Sequence, residues 1–243
     1  MDNIVVLNVD FNFGYGESTI YPVILQDENE MILVDCGYAD FLLMIEEAAC
    51  KKHVDFSKLT KVIVTHHDYD HMGSLAAIKQ KYPHVQIIAS AKDAPYVAGR
   101  LKSLRLQQAE QTQSILPPEE QEAGKAFQNI LKSIENVEVD ITVKDEDYFP
   151  WCGGIEIVET PGHMPGHISI YLKKFKVLIS GDALAIENGN LEIAAPQFTL
   201  DMAEAKESVL KLLNYDIQKI ICYHGGEYQD NIPAALRNIE NIF

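Results

Sequence analysis

The stretch Thr65-His66-His67-Asp68-Tyr69-Asp70-His71 puts histidine or aspartate at five of six consecutive positions, 66 to 71. It follows an apolar, β-branched run at 61–64 and precedes a segment of helical character at 74–80. So dense a cluster at the end of a buried strand restricts what the chain can form. Grouped ionisable side chains repel one another or lose hydration unless something offsets their charge. Neutral imidazole and carboxylate together suit zinc, iron or manganese better than calcium or magnesium. The plain alternative is a solvated turn that happens to be rich in His and Asp.

The rest of the chain argues against that alternative. Three histidine groups, at 66–71, 163–167 and 224, stand where an apolar run gives way to a glycine-containing loop. Asp35, in Leu33-Val34-Asp35-Cys36-Gly37, and Asp182, in Ile179-Ser180-Gly181-Asp182-Ala183, occupy similar places. Rigid scaffolds present functional groups on such loops, so five polar clusters at five strand ends read as one site.

The order of elements predicts one α/β domain over residues 1–243. Runs at 4–9, 19–25, 31–34, 61–64 and 85–89 read as strands, with a turn-rich loop at 12–16. Phe41, Met44, Ile45 and Ala48 lie at helical spacing and predict a helix over 41–50, followed by another over 74–80. Strands resume at 137–143, 155–159, 168–172, 177–179 and 219–222, with helices over 202–213 and 232–243. Residues 93–135 differ, being rich in Gln, Glu, Lys and Ala and broken at Pro117-Pro118. Ala123, Phe127, Ile130, Leu131 and Ile134 then fall on one helical stripe. This is a helical insertion, either a lid or a solvated hairpin. Its stripe would line a pocket or meet another subunit, which leaves the oligomeric state open.

Composition narrows the partners. With 20 Lys and Arg against 36 Asp and Glu, the formal charge is −16, which disfavours binding to a phosphate backbone. No apolar run approaches the roughly 20 residues of a membrane span, and no signal-like segment opens the chain. Cys36, Cys50, Cys152 and Cys222 form no CxxC pair, too sparse for a disulfide framework or a zinc ribbon. The expectation is a cytoplasmic protein with reduced thiols and a small-molecule substrate, binding neither nucleic acid nor membrane.

These motifs together resemble the metallo-β-lactamase-fold hydrolase superfamily, in particular its glyoxalase II and lactonase-like branch. The Thr-His-x-His-x-Asp-His signature stands as residues 65–71, with Asp68 where the second ligand is usually His. Asp35 closes the first motif, His163 lies in Thr160-Pro161-Gly162-His163, Asp182 follows Ser180-Gly181, and His224 follows Tyr223. The resemblance implies a four-layer αβ/βα sandwich with two divalent metal ions at one edge, zinc by preference, with iron or manganese as alternatives. It implies one metal on His66, Asp68 and His163, another on Asp70, His71 and His224, and Asp182 bridging both. His67 falls at a variable position, His167 beyond the ligand position, and Asp35 would orient a ligand imidazole.

The implied activity is hydrolysis of a small ester, thioester or lactone by a metal-bridging hydroxide, with Asp70 handling its proton. Tyr15 in the first loop, Tyr223 and Tyr38 are candidates for contacting substrate, against the plainer reading of packed tyrosines with satisfied hydroxyls. Asp68 adds charge and hardness, which shifts preference toward iron or manganese. That resembles the di-iron domain of flavodiiron proteins, so the alternative is a di-iron redox protein acting on oxygen or nitric oxide. It would need a separate electron donor, since no flavin domain follows. A sensing module that keeps its metal without turnover is a third reading.

Overall fold

The computed structural model describes residues 3–14 and 16–240. The first half contains β1 (Asn3–Val6), β2 (Val9–Asn12), β3 (Glu17–Ile20), β4 (Val23–Gln26) and β5 (Met31–Val34). Then come α1 (Leu42–Lys51), β6 (Lys61–Ile63), α2 (Tyr69–Met72), α3 (Leu75–Lys81) and β7 (Gln86–Ser90). The helical segment holds α4 (Ala94–Val97), α5 (Leu104–Thr112) and α6 (Gln121–Ser133), and β8 (Ile141–Val143) ends it. The second half contains β9 (Tyr148–Phe149), β10 (Ile155–Glu159), β11 (Ile168–Leu172), β12 (Val177–Gly181), β13 (Ala185–Glu187) and β14 (Asn190–Glu192). Finally come α7 (Met202–Lys211), β15 (Lys219–Cys222), β16 (Gly226–Tyr228) and α8 (Ile232–Glu240).

Two mixed sheets of six strands result, ordered β1-β4-β5-β6-β7-β8 and β16-β15-β12-β11-β10-β9. Strand side chains alternate between faces, and the alternation builds the layers. Met31 and Leu33 of β5 pack outward with Ile45 of α1 and Ile78 of α3. Ile32 and Val34 point the other way, against Ile157 and Ile170 of the second sheet. Leu178 and Ile220 of that sheet meet Val209 of α7 and Leu236 of α8. Each sheet is thus buried on both faces, giving the expected αβ/βα sandwich.

Several sequence-based boundaries shift. The predicted strands 4–9 and 19–25 each break in two. Pro22 has no N–H to give a ladder, and its carbonyl instead accepts from Leu7 N at 2.9 Å. Beyond this crossing β2 and β3 leave the first sheet as a separate antiparallel ribbon. Phe11 and Phe13 of that ribbon pack on Tyr38, with ring centroids 5.2 and 5.1 Å away. The strand predicted over 137–143 shortens to β8, because Val137 N bonds Val97 O at 3.0 Å instead of joining the sheet. In α6 the apolar stripe is narrower than predicted: Leu131 is buried, but Ile130 is 50% exposed. The buried Gln128 shares that face and bonds Gln113 Oε1 of the preceding turn at 2.8 Å. The helix predicted to Phe243 is described to Glu240, and residues 241–243 lie outside the described residues.

Candidate metal centre

The groups flagged by the sequence converge at one edge, where strands of both sheets end. Asp35 follows β5, His66 follows β6, and Asp70 and His71 lie on α2. His163 stands in the β10–β11 loop, Asp182 just after β12 and His224 between β15 and β16. Backbone bonds fix these loops. Cys36 N donates to His71 O and Gly73 N to Gly37 O, both at 2.8 Å, so α2 is seated on the turn after β5. Gly73 is required there: a Cβ would stand 2.3 Å from Ala39 N. Gly162 meets the backbone of α7 in the same way, with Ala205 N 2.3 Å from a Cβ position, which brings His163 down onto the site.

Asp35 sets the tautomers of two imidazoles. Its Oδ2 accepts from His71 Nδ1 at 2.9 Å and from Thr65 Oγ1 at 2.9 Å, and its Oδ1 accepts from Thr65 N at 2.8 Å. The Thr65 hydroxyl, having given its proton to Asp35, can only accept from His66 Nδ1, 3.0 Å away. Both rings therefore carry the proton on Nδ1 and turn a bare Nε2 toward the centre. His66 Nε2, His71 Nε2 and Asp182 Oδ1 are buried there without a hydrogen-bond partner. Buried polar atoms are rarely left so, and three of them converging with bare lone pairs fit a metal ion.

The spacing fits as well. Ligand atoms lie within 4.8 Å of one another in three groups: His66–Asp68–His163, His66–His71–Asp182 and Asp70–His71–His224. Asp182 spans the first and last, with Oδ1 3.4 Å from His71 Nε2 and Oδ2 3.7 Å from His163 Nε2 and 3.6 Å from His224 Nε2. Charge is distributed accordingly. Burial works against a charged His71, yet Asp182, Asp35 and Asp70 outweigh it and hold its pKa well above the ordinary value. Burial likewise opposes ionised Asp182, but His71 and His224 hold it well below the usual carboxylate range. The carboxylates thus demand positive charge, which a proton on His71 or a metal ion supplies.

His167 does not join the cluster. Its Nε2 accepts from Asp182 N at 3.0 Å and its Nδ1 faces Thr160 Oγ1 at 2.9 Å. Burial and nearby His163 push its pKa down to about 3, so it is a neutral bracket for the Asp182 backbone. Tyr223 also departs from expectation. Its hydroxyl donates to Asp70 O at 2.6 Å and accepts from Gly37 N at 3.1 Å, and its ring is buried against His71. Its hydroxyl is thereby committed to holding α2. Tyr15 lies outside the described residues.

Two features were not read from the sequence. Arg105 of α5 reaches Asp68 with a fork: Nε to Oδ1 at 3.2 Å and Nη2 to Oδ2 at 2.7 Å. His67 donates from N and Nδ1 to Asp93 Oδ2 at 2.7 and 2.9 Å, leaving Nε2 to accept from Leu104 N, 3.3 Å away at the start of α5. The helical segment is therefore docked on the signature loop at two adjacent residues, and it forms part of the site.

Above the cluster lies a cavity of about 290 Å³, with Asp68, Asp70, Asp182, His163 and His224 at its base. Its walls are largely apolar, from Tyr38, Tyr69, Phe198, Ala194 and Ala195. A larger hollow of about 610 Å³ sits at the far end of β5, around Asp27, Glu30 and Lys58, away from the converging ligands. Among the described residues no helix is long and apolar enough to cross a membrane.

The metallo-beta-lactamase superfamily profile matches residues 15–224. The chain belongs to that superfamily. It is 24% identical over 236 residues to the probable metallo-hydrolase YflN of Bacillus subtilis (strain 168), covering 92% of this chain and 84% of that one. A hydroxyacylglutathione hydrolase of Ruegeria pomeroyi is 29% identical over 181 residues, 73% of this chain and 52% of that protein. In fold the chain resembles a metallo-beta-lactamase family protein of Thermus thermophilus, with a TM-score of 0.74 at 17% identity over 98% of this chain and 78% of the other. Membership and the paired His/Asp clusters make this a metal-dependent hydrolase with a dinuclear site for small substrates.

Because Asp35 acts on the centre only through His71 and Thr65, its role is separable. Asp35→Asn keeps the shape but loses the carboxylate that fixes both rings. Metal affinity is expected to fall about 10- to 100-fold, as for other groups that orient a ligand, with near-native circular dichroism. Competition titration against a chromophoric chelator measures it.

Proposed function

We propose that the chain hydrolyses a small, largely apolar ester, thioester or lactone, with His66, Asp68 and His163 holding one zinc ion and Asp70, His71 and His224 another. Asp182 is shared between the two. The observation carrying this reading is the convergence of unpartnered His66 Nε2, His71 Nε2 and Asp182 Oδ1 at the base of an apolar-walled cavity. Two ions bound there would lower the pKa of a water from about 15.7 toward 7 and polarise the substrate's acyl oxygen.

The chain's own residues do the rest. Tyr38, Tyr69 and Phe198 line the cavity; they exclude water and hold the acyl portion over the carboxylates. Asp70, 3.3 Å from His224 Nε2 through Oδ2, takes the attacking water's proton and passes it to the leaving group. Mixed imidazole and carboxylate donors favour zinc over the hard cations, with iron or manganese as the runners-up. The similarity to a protein named for hydroxyacylglutathione hydrolysis brings thioesters onto the panel. Cys36, Cys50 and Cys222 stand as thiols, which suits the reducing cytoplasm.

A panel of short-chain aryl esters, acyl thioesters and lactones, run on zinc-loaded and chelator-treated protein, tests the reading. Turnover of at least one class that disappears on chelation and returns with zinc is expected. Undiminished turnover in the chelated protein would contradict it.

A further inference from the structure

The contact between Arg105 and Asp68 has the marks of a built device. Both side chains are buried, and the fork is held from behind: Nη1 donates to Gln108 Oε1 at 2.7 Å and Nη2 also to Phe198 O at 2.8 Å. Asp68 Oδ2 meanwhile lies 3.1 Å from His163 Nε2 and 3.5 Å from His66 Nε2. Those separations are close to the roughly 3.4 Å expected between donors on a tetrahedral zinc ion with bonds of about 2.0–2.2 Å. A carboxylate oxygen has two lone pairs, so Oδ2 can face the ion and the guanidinium together.

The electrostatic consequence follows from counting charges. Asp68 brings one negative charge to its cluster and Arg105 cancels it at contact distance, with a group that does not lose its proton. Among the described residues the ion pairs of Asp70 are to His71 and His224; the guanidinium that grips Asp68 acts on Asp70 at longer range, without a contact. On the metal-site reading above, we propose that Arg105 is a positioning residue whose charge makes Asp68 act as a nearly neutral ligand. The two metal positions are thereby unequal, the one at His66–Asp68–His163 being the weaker. The helical segment that delivers Arg105 thus sets how strongly that position is filled.

Zinc titration of the wild type, Arg105→Met, Arg105→Lys, Asp68→His and the Asp68→His/Arg105→Met pair tests this, with the dissociation constant of the weaker position as the readout. At an effective dielectric near 20, a unit charge some 5 Å from the ion changes affinity by well over 10-fold. Arg105→Met is expected to tighten the weaker position by about 10-fold or more, and Arg105→Lys to stay within about 3-fold of the wild type. Asp68→His should weaken it about 10-fold, because the guanidinium is left beside the ion. The double variant should return to within about 3-fold of the wild type. Weaker binding by both Arg105→Met and Arg105→Lys, or tighter binding by Asp68→His, would overturn the charge role. The last comparison stands even if Arg105→Met fails to fold. A wild type that takes up no zinc would instead overturn the hydrolase reading itself.

Discussion

Asp182→Ala is expected to cut kcat/KM by more than about 100-fold and to halve the zinc bound per chain. Groups that merely orient a ligand contribute 10- to 100-fold, and Asp182 is closer to the chemistry than that. Its two oxygens lie within 3.7 Å of imidazoles from both outer ligand groups, His71 and His224 on one side and His163 on the other. Removing them separates the clusters and takes away the carboxylate that would help hold a water activated by two bound ions. Asp182→Asn keeps one acceptor oxygen without the charge, so it should fall between the wild type and the alanine variant. Elemental analysis beside steady-state kinetics checks both. An alanine variant with full zinc and more than a tenth of the wild-type kcat/KM would contradict the assignment.

Chelation is the second large effect, and it is read on stability. Asp35, Asp68, Asp70 and Asp182 are all buried at one edge, with Arg105 paired to Asp68. Ions that bind the folded chain and not the unfolded one stabilise it by about 4 kcal/mol at a thousandfold excess over the dissociation constant. For a chain of this size each kcal/mol moves Tm by about 2–4 °C. Stripping the metal should therefore lower Tm by roughly 8–16 °C, and restoring zinc should reverse it. Asp182→Ala should show a markedly smaller shift. Differential scanning calorimetry with and without chelator decides this, and equal Tm values in the two states would refute it.

The positions of the converging groups were legible because each belongs to a short local pattern, an apolar run ending in a polar residue beside glycine. Sheet register then carries the strand ends to one edge, so local reading sufficed for Asp35, His66, His71, His163, Asp182 and His224. Arg105 was not legible in that way. It is 37 positions from its partner, in a segment whose polar side chains resemble any solvated helix. A signal was present nonetheless: the chain has only three arginines, Arg100, Arg105 and Arg237, and a buried carboxylate at Asp68 needs a cation. Pro22 likewise announced the break that frees the β2–β3 ribbon. The role of the Tyr223 hydroxyl could not be read, since it depends on Gly37 and Asp70, which reach it only through the fold.

The most direct test of the dinuclear reading is elemental analysis of protein purified without added metal. About two zinc ions per chain, falling to one or fewer in Asp182→Ala, is the expected result. Well under one metal ion per correctly folded chain, with none regained on soaking in zinc, would contradict it.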